Sequence, residues 1–139
     1  MEDLLAEGKE PDTDTLTFVH ANKTAAMIEV SLVMGLLLSN RGDDSEKIKL
    51  MTQAGISLGL AFQAVDDLLD VTSSTKELGK DASHDKEAGK MTWVSMLGLE
   101  KARALASEYT ESALQCIRDI GGENKFLLEL AEYMLRRKN

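Results

Sequence analysis

Cysteine, proline and aromatic side chains are all scarce in this 139-residue chain, which holds one Cys, one Pro and only 4% aromatic residues. The lone cysteine, Cys116, cannot form an internal disulfide, and that fits a reducing compartment, most simply the cytoplasm. One proline and ten glycines supply too little turn chemistry for a sheet-rich protein, and the shortage of aromatics points the same way. Basic side chains are outnumbered, 16 against 24 acidic, so a net charge of −8 repels a polyanion and speaks against nucleic acid as a partner. Long apolar runs are missing too. The two longest, Ile28 to Leu38 and Ala54 to Val65, are broken by polar or glycine positions. Both fall short of the roughly 18–20 residues that span a bilayer, so no transmembrane segment is expected. Met1-Glu2-Asp3 has neither the basic start nor the apolar stretch of a signal peptide.

What remains is an ordinary globular balance, 43% apolar and 29% charged, in a length suited to one small domain or part of a larger one. The spacing of apolar residues predicts an all-α protein. Met1 to Asp14 is acidic and turn-prone and is read as an entry segment. A long helix is expected from Thr15 to about Asn40, capped by Asp14 or Thr15. Its second half is apolar nearly all round, as in a helix surrounded by others. A second long helix is expected from Ser45 to about Val71, capped by Asp43 or Asp44, with Gly55 and Gly59 suited to close helix contact. Thr72 to Met91, rich in Ser, Lys, Gly and Asp, reads as a long loop of the kind that often carries function. A short helical turn over Thr92 to Leu97, a helix from Leu99 to Ile120, a stop at Gly121-Gly122 and a last helix from Asn124 to Arg137 complete the pattern. The seven methionines and Cys116 are read as core packing.

The chemistry concentrates in Phe62-Gln63-Ala64-Val65-Asp66-Asp67-Leu68-Leu69-Asp70, at the expected end of the second helix. On a helix Asp66 and Asp70 lie one turn apart, and Gln63 lies one turn before Asp66 and Asp67, so these groups share a face. Carboxylates at i and i+4 repel each other, and in a last turn they also oppose the negative end of the helix dipole. A hard divalent cation relieves both. Mg²⁺ is commonly held by one or two carboxylates, with substrate phosphate oxygens completing its shell. Against this stands the simpler reading of a solvated acidic helix end, and an acidic chain produces such a spacing easily.

A magnesium and phosphate site also calls for direct cations. Lys23, followed by the hydroxyl of Thr24, stands just before the heavily apolar stretch, so its side chain is expected to face other helices, where a lysine needs an anionic partner. Lys80 and Lys90 sit in the expected Ser/Gly loop, where flexible ammonium groups could close over a diphosphate. Taken alone, all three are also ordinary surface lysines, and His84 is an ordinary solvated loop residue.

The run Gly59-Leu60-Ala61-Phe62-Gln63-Ala64-Val65-Asp66-Asp67-Leu68-Leu69-Asp70 resembles the second aspartate-rich motif of trans-isoprenyl diphosphate synthases, the farnesyl and geranylgeranyl diphosphate synthase or polyprenyl synthetase family. Phe18-Val19-His20-Ala21-Asn22-Lys23-Thr24 is similar to that family's Lys-Thr segment. Leu78-Gly79-Lys80-Asp81, Asp85 and Gly89-Lys90-Met91-Thr92 resemble its loop after the second motif, with Trp93-Val94 where many relatives have Tyr-Pro. The three motifs occur in the family's order.

This resemblance implies the C-terminal half of the isoprenoid synthase α-helical bundle, with residues 1–139 forming a partial polyprenyl synthetase domain. It implies a prenyltransferase that condenses an allylic diphosphate with isopentenyl diphosphate and releases pyrophosphate, with Mg²⁺ as cofactor. By the same analogy Asp66 and Asp70 bind Mg²⁺ with Asp67 assisting, Phe62 and Gln63 lie at the diphosphate side, Thr24 contacts the diphosphate, and Lys23, Lys80 and Lys90 stabilise the leaving pyrophosphate. Family chains are about twice this long, and the first aspartate-rich motif belongs to their N-terminal half. Hence the chain alone is expected to be inactive, and to pair with that half or to form a homo-oligomer, since the family is commonly dimeric. The alternative from another class is a non-catalytic helical subunit that interacts with or regulates a prenyl synthase.

Overall fold

The computed structural model describes residues 12–39, 42–77 and 91–136, and among these it contains helices and no strand. The first rod is α1, Thr13–His20, which passes through a π-helical turn, Ala21–Ala25, into α2, Ala26–Leu37. Asp12, rather than Asp14 or Thr15, caps it, accepting from the Asp14 backbone N–H at 3.3 Å. The second rod is α3, Ser45–Glu77. At a rise of 1.5 Å per residue it is about 50 Å long. Asp44 caps its start by accepting at Oδ1 from the backbone N–H groups of Glu46 and Lys47, at 3.1 and 3.2 Å.

The short α4, Trp93–Leu97, opens with a reciprocal capping box between Thr92 and Ser95. Gly98, at φ 82°, turns the chain at once into α5, Leu99–Asp119. Gly121 and Gly122, both at positive φ, end that helix in the left-handed conformation that only glycine adopts without strain. Asn124 then bridges the corner, its side-chain amide donating to the carbonyls of Ile117 and Gly121, each at 2.8 Å. The chain closes with α6, Lys125–Leu135.

α3 is the axis of the molecule, flanked by α2 and the π turn on one side and α5 on the other. Much of what it buries is small. Ala54 and Leu58 pack with Ala113, Leu114, Cys116 and Ile117 of α5 and Ala131 of α6. Farther along, Ala64 packs with Leu16, Trp93, Ala102 and Ala106. Alanine at these positions lets the backbones approach closely, and each buried methylene adds about 0.8 kcal/mol. The one polar exception in the described core, Ser57, is matched by the Ser112 hydroxyl across the α3–α5 interface at 3.1 Å.

Several expectations are corrected here. The second helix continues to Glu77, past Val71, so the acidic motif is not in its last turn and the dipole argument, which holds only within the final turn, does not apply. Thr72 to Glu77 continue the helix in place of a loop because a polar run without helix breakers can extend a rod that is already nucleated. The apolar second half of the first rod is not enclosed among the described residues: Met27, Val30, Met34, Leu37 and Leu38 are exposed. Met27 and Met34 are therefore not core packing, whereas Met51 and Cys116 are buried as expected.

Candidate functional site

Two glycines of α3 decide where the acidic motif stands. A Cβ on Gly59 would lie 2.3 Å from the Ala25 Cα, and one on Gly55 would lie 2.4 Å from the Glu29 Cα. Only hydrogen fits at either place, so α3 crosses the first rod in backbone contact. The pairing of 59 with 25 and of 55 with 29 makes the two rods antiparallel. Following the helical rise outward from Gly59, Gln63 comes level with about residue 21, and Asp66 and Asp67 with the end of α1. The Lys-Thr segment and the acidic motif are thereby set on facing stretches of adjoining rods.

The closest crossing falls on the π turn. The Ala26 N–H reaches back five residues to the Ala21 carbonyl, the wider π hydrogen bond, in a turn that holds Asn22, Lys23 and Thr24. Such single-turn insertions carry an extra residue and often occur at functional positions. Thr24 is half-buried, but Lys23 is exposed, as is Asn22, whose amide donates to the Phe18 carbonyl at 2.8 Å. The expectation that Lys23 faces neighbouring helices is thus corrected. The extra residue of the π turn re-aims its side chain to solvent, and no burial cost demands an anion for it.

On α3 itself Phe62, Gln63, Asp66 and Asp67 are half-buried and Asp70 is exposed. Asp66 and Asp70 stand one turn apart on a continuous helix, as the spacing requires. Asp67 points elsewhere: its Oδ2 accepts from the Trp93 backbone N–H at 2.8 Å, across 26 residues of sequence. Trp93 is itself buried, with its ring 5.8 Å from that of His20 at the end of α1. Its indole Nε1 is buried and meets no hydrogen-bond acceptor among the described residues. Lys80 and Lys90, with His84, Asp81 and Asp85, lie outside the described residues.

The donor set has a definite chemical character. Among the described residues no three His, Cys, Asp or Glu side chains are gathered into a cage of their own. Two carboxylates one turn apart on one helical face fit an ion that takes hard oxygen donors and draws the rest of its shell from water and phosphate. Mg²⁺ is such an ion, whereas structural Zn²⁺ wants a closed tetrahedron. The bridge from Asp67 through Trp93 to His20 has no signal in the sequence, since each contact joins residues far apart in the chain.

Residues 1–125 match the family model described as polyprenyl synthetase. The chain is 38% identical to geranylgeranyl pyrophosphate synthase 11, chloroplastic, of Arabidopsis thaliana, with 99% of this chain and 39% of that protein covered. It is also 38% identical to the heterodimeric geranylgeranyl pyrophosphate synthase large subunit 1, chloroplastic, of the same plant, over 99% of this chain and 38% of that one. The fold superposes on the crystal structure of a Helicobacter pylori geranyltransferase complexed with magnesium and isoprenyl diphosphate. That match has a TM-score of 0.69 and 33% identity, and it covers 95% of this chain and 43% of that one. The chain therefore spans about two-fifths of the length of these relatives. With the family's model matched over nine-tenths of its length and the all-α fold of its solved members, the chain belongs to the polyprenyl synthetase family.

Proposed function

We propose that the chain is the C-terminal portion of a prenyl diphosphate synthase and supplies one side of a site for an allylic diphosphate. The observation that supports this reading is the antiparallel crossing at Gly59, from which Gln63 comes level with the start of the π turn bearing Lys23 and Thr24, and Asp66 with the end of α1 just before it. Asp66 and Asp70 are the groups that would hold Mg²⁺. When bound, Mg²⁺ supplies electrostatic stabilisation of a departing pyrophosphate. The chain's own residues do the positioning. Thr24 offers a hydroxyl and Lys23 an ammonium to the diphosphate oxygens, and Phe62 and Gln63 border its approach. Lys80 and Lys90 carry the same role by family analogy.

In the reaction the allylic carbon–oxygen bond breaks and pyrophosphate leaves with the bonding pair. The double bond of isopentenyl diphosphate then forms the new carbon–carbon bond, and loss of a proton restores neutrality at carbon. This requires a second acidic motif, which the family carries in its N-terminal half. The exposed apolar rows on α2 (Met27, Val30, Met34) and α6 (Phe126, Leu130, Tyr133) are faces for that half or for a second copy of the chain. Similarity to the large subunit of a heterodimeric synthase supports assembly with an unlike chain, and the second reading is a helical subunit that serves a prenyl synthase without catalysing alone. The buried thiol of Cys116 supports a reducing compartment, the cytoplasm in the simplest case. No described helix is long and apolar enough to cross a membrane.

The experiment is a condensation assay with Mg²⁺, an allylic diphosphate and isopentenyl diphosphate, run on the chain alone and with the N-terminal half of a relative, with light scattering on the same samples. The chain alone should self-associate and release no pyrophosphate, and the added half should restore Mg²⁺-dependent release. Turnover by the isolated chain at the rate of a full-length relative would contradict the reading, as would a failure of every combination to release pyrophosphate.

A further inference from the structure

Asp67 stands beside Asp66 in the acidic motif, yet its carboxylate is directed at the backbone of another helix. From that hydrogen bond we infer that Asp67 is a positioning residue, which seats α4 against the acidic turn of α3, and is not a direct ligand of the cation. The inference rests on the reading above for what the acidic turn does, but the bond itself does not.

The geometry makes the role specific. Trp93 is the first residue of α4, and the N–H groups of a first helical turn have no acceptor within their own helix. The capping box of Thr92 and Ser95 satisfies the Ser95 N–H and the Thr92 N–H, and leaves that of Trp93. Asp67 accepts it at 2.8 Å, the short distance of a charge-assisted bond. Trp93 is 1% exposed and packs in the same cluster as Ala64 of α3 and Leu16 of α1, with its ring against His20. The contact thus fixes three elements together: the acidic turn, α4, and the end of α1 from which the π turn with Lys23 and Thr24 departs. An oxygen committed to a backbone amide orients its neighbours, in the manner of the outer-shell groups that set ligand geometry in metal sites.

Three measurements test this. Trp93 is the only tryptophan, so the emission of the protein reports its surroundings alone. Without any metal, Asp67→Ala should shift that emission to the red, and Asp67→Asn, which keeps an acceptor oxygen, should leave it as in the unaltered chain. In the unaltered chain the Trp93 amide should be protected from hydrogen exchange, which a first-turn amide with no outside acceptor would not be. With Mg²⁺ and inorganic pyrophosphate, Asp66→Asn and Asp67→Asn remove the same charge from the same turn, so long-range electrostatics cancels between them. Asp66→Asn should weaken binding at least about tenfold more than Asp67→Asn.

The inference is overturned if Asp67→Ala leaves the emission unchanged, if Asp67→Asn shifts it as far as alanine does, or if Asp67→Asn loses as much Mg²⁺ affinity as Asp66→Asn. Should Asp67→Ala fail to fold by circular dichroism, amide exchange of Trp93 in the unaltered chain decides: protection supports the role and free exchange overturns it. If Asp66→Asn has no effect on Mg²⁺ while the emission and exchange results hold, the metal reading fails and the positioning role of Asp67 stands.

Discussion

At the residue scale the same side chain can be a ligand, a cap or a tether, and only its neighbours decide which. The i, i+4 spacing of Asp66 and Asp70 needs nothing but a helix to put them on one face, so that pair is legible in the sequence. Asp67 is not, because its partner Trp93 is brought to it by the packing of α4 on α3. Lys23 misleads for a local reason: ordinary helical spacing aims it inward, and the extra residue of the π turn aims it out. Asp44 shows the capping role in full. The Lys47 ammonium, 2.7 Å from its Oδ2, and then the Lys47 backbone N–H hold its carboxyl below the usual carboxylate value of 3.8, against the opposing effect of desolvation. A depressed folded-state value means the charge of Asp44 stabilises the protein at pH above the unfolded value, and that this contribution is lost as pH falls through the folded one. Thermal melts of Asp44→Asn, which keeps the cap but not the charge, should lie slightly below the unaltered protein at pH 6. They should converge with it as the pH is taken below 3.8. A gap that stays constant to pH 2 would refute the assignment.

At the element scale, helix existence is readable throughout and helix ends are readable where the chain names them. Gly121 and Gly122 stop α5 where expected, and the turn before Leu97 is α4. Val71 looks like an end because apolar anchors cease there, but continuation of a helix requires no anchor, only the absence of a breaker. The π turn has no signal in Ala21–Ala25 at all. Gly55 and Gly59 do signal a close contact, though not with which helix. Their role makes a signed prediction. Glycine to alanine inside a helix gains about 1 kcal/mol from propensity alone, and Gly35 on α2, where an added methyl would meet nothing within 4 Å, should show that gain. At Gly59 the methyl would meet the Ala25 backbone at 2.3 Å. Overpacking there costs about 1–3 kcal/mol and outweighs propensity. Chemical denaturation of Gly35→Ala and Gly59→Ala should therefore move in opposite directions, and a stabilised Gly59→Ala would mean the rods do not touch where described.

At the scale of the whole molecule, one long rod collects every other described element, and the acidic turn lies on that rod beside the junction of α1 with the π turn. Apolar rows on α2 and α6 face outward, so the described residues leave surface that an isolated soluble domain seldom presents. Family and fold are legible because three motifs keep a fixed order along the chain, a pattern that composition alone could not supply. The resemblance already implies that the chain spans about half of its relatives, and the comparison brings that share to about two-fifths. What unites these levels is a single claim, that the Asp66–Asp70 face accepts a divalent cation together with a diphosphate. Calorimetric titration of Mg²⁺ with an allylic bisphosphonate into the chain and into Asp66→Ala tests it most directly. The unaltered chain should take up both saturably, each depending on the other, and Asp66→Ala should lose that uptake. Equal heats from the two proteins, or bisphosphonate binding indifferent to Mg²⁺, would contradict it.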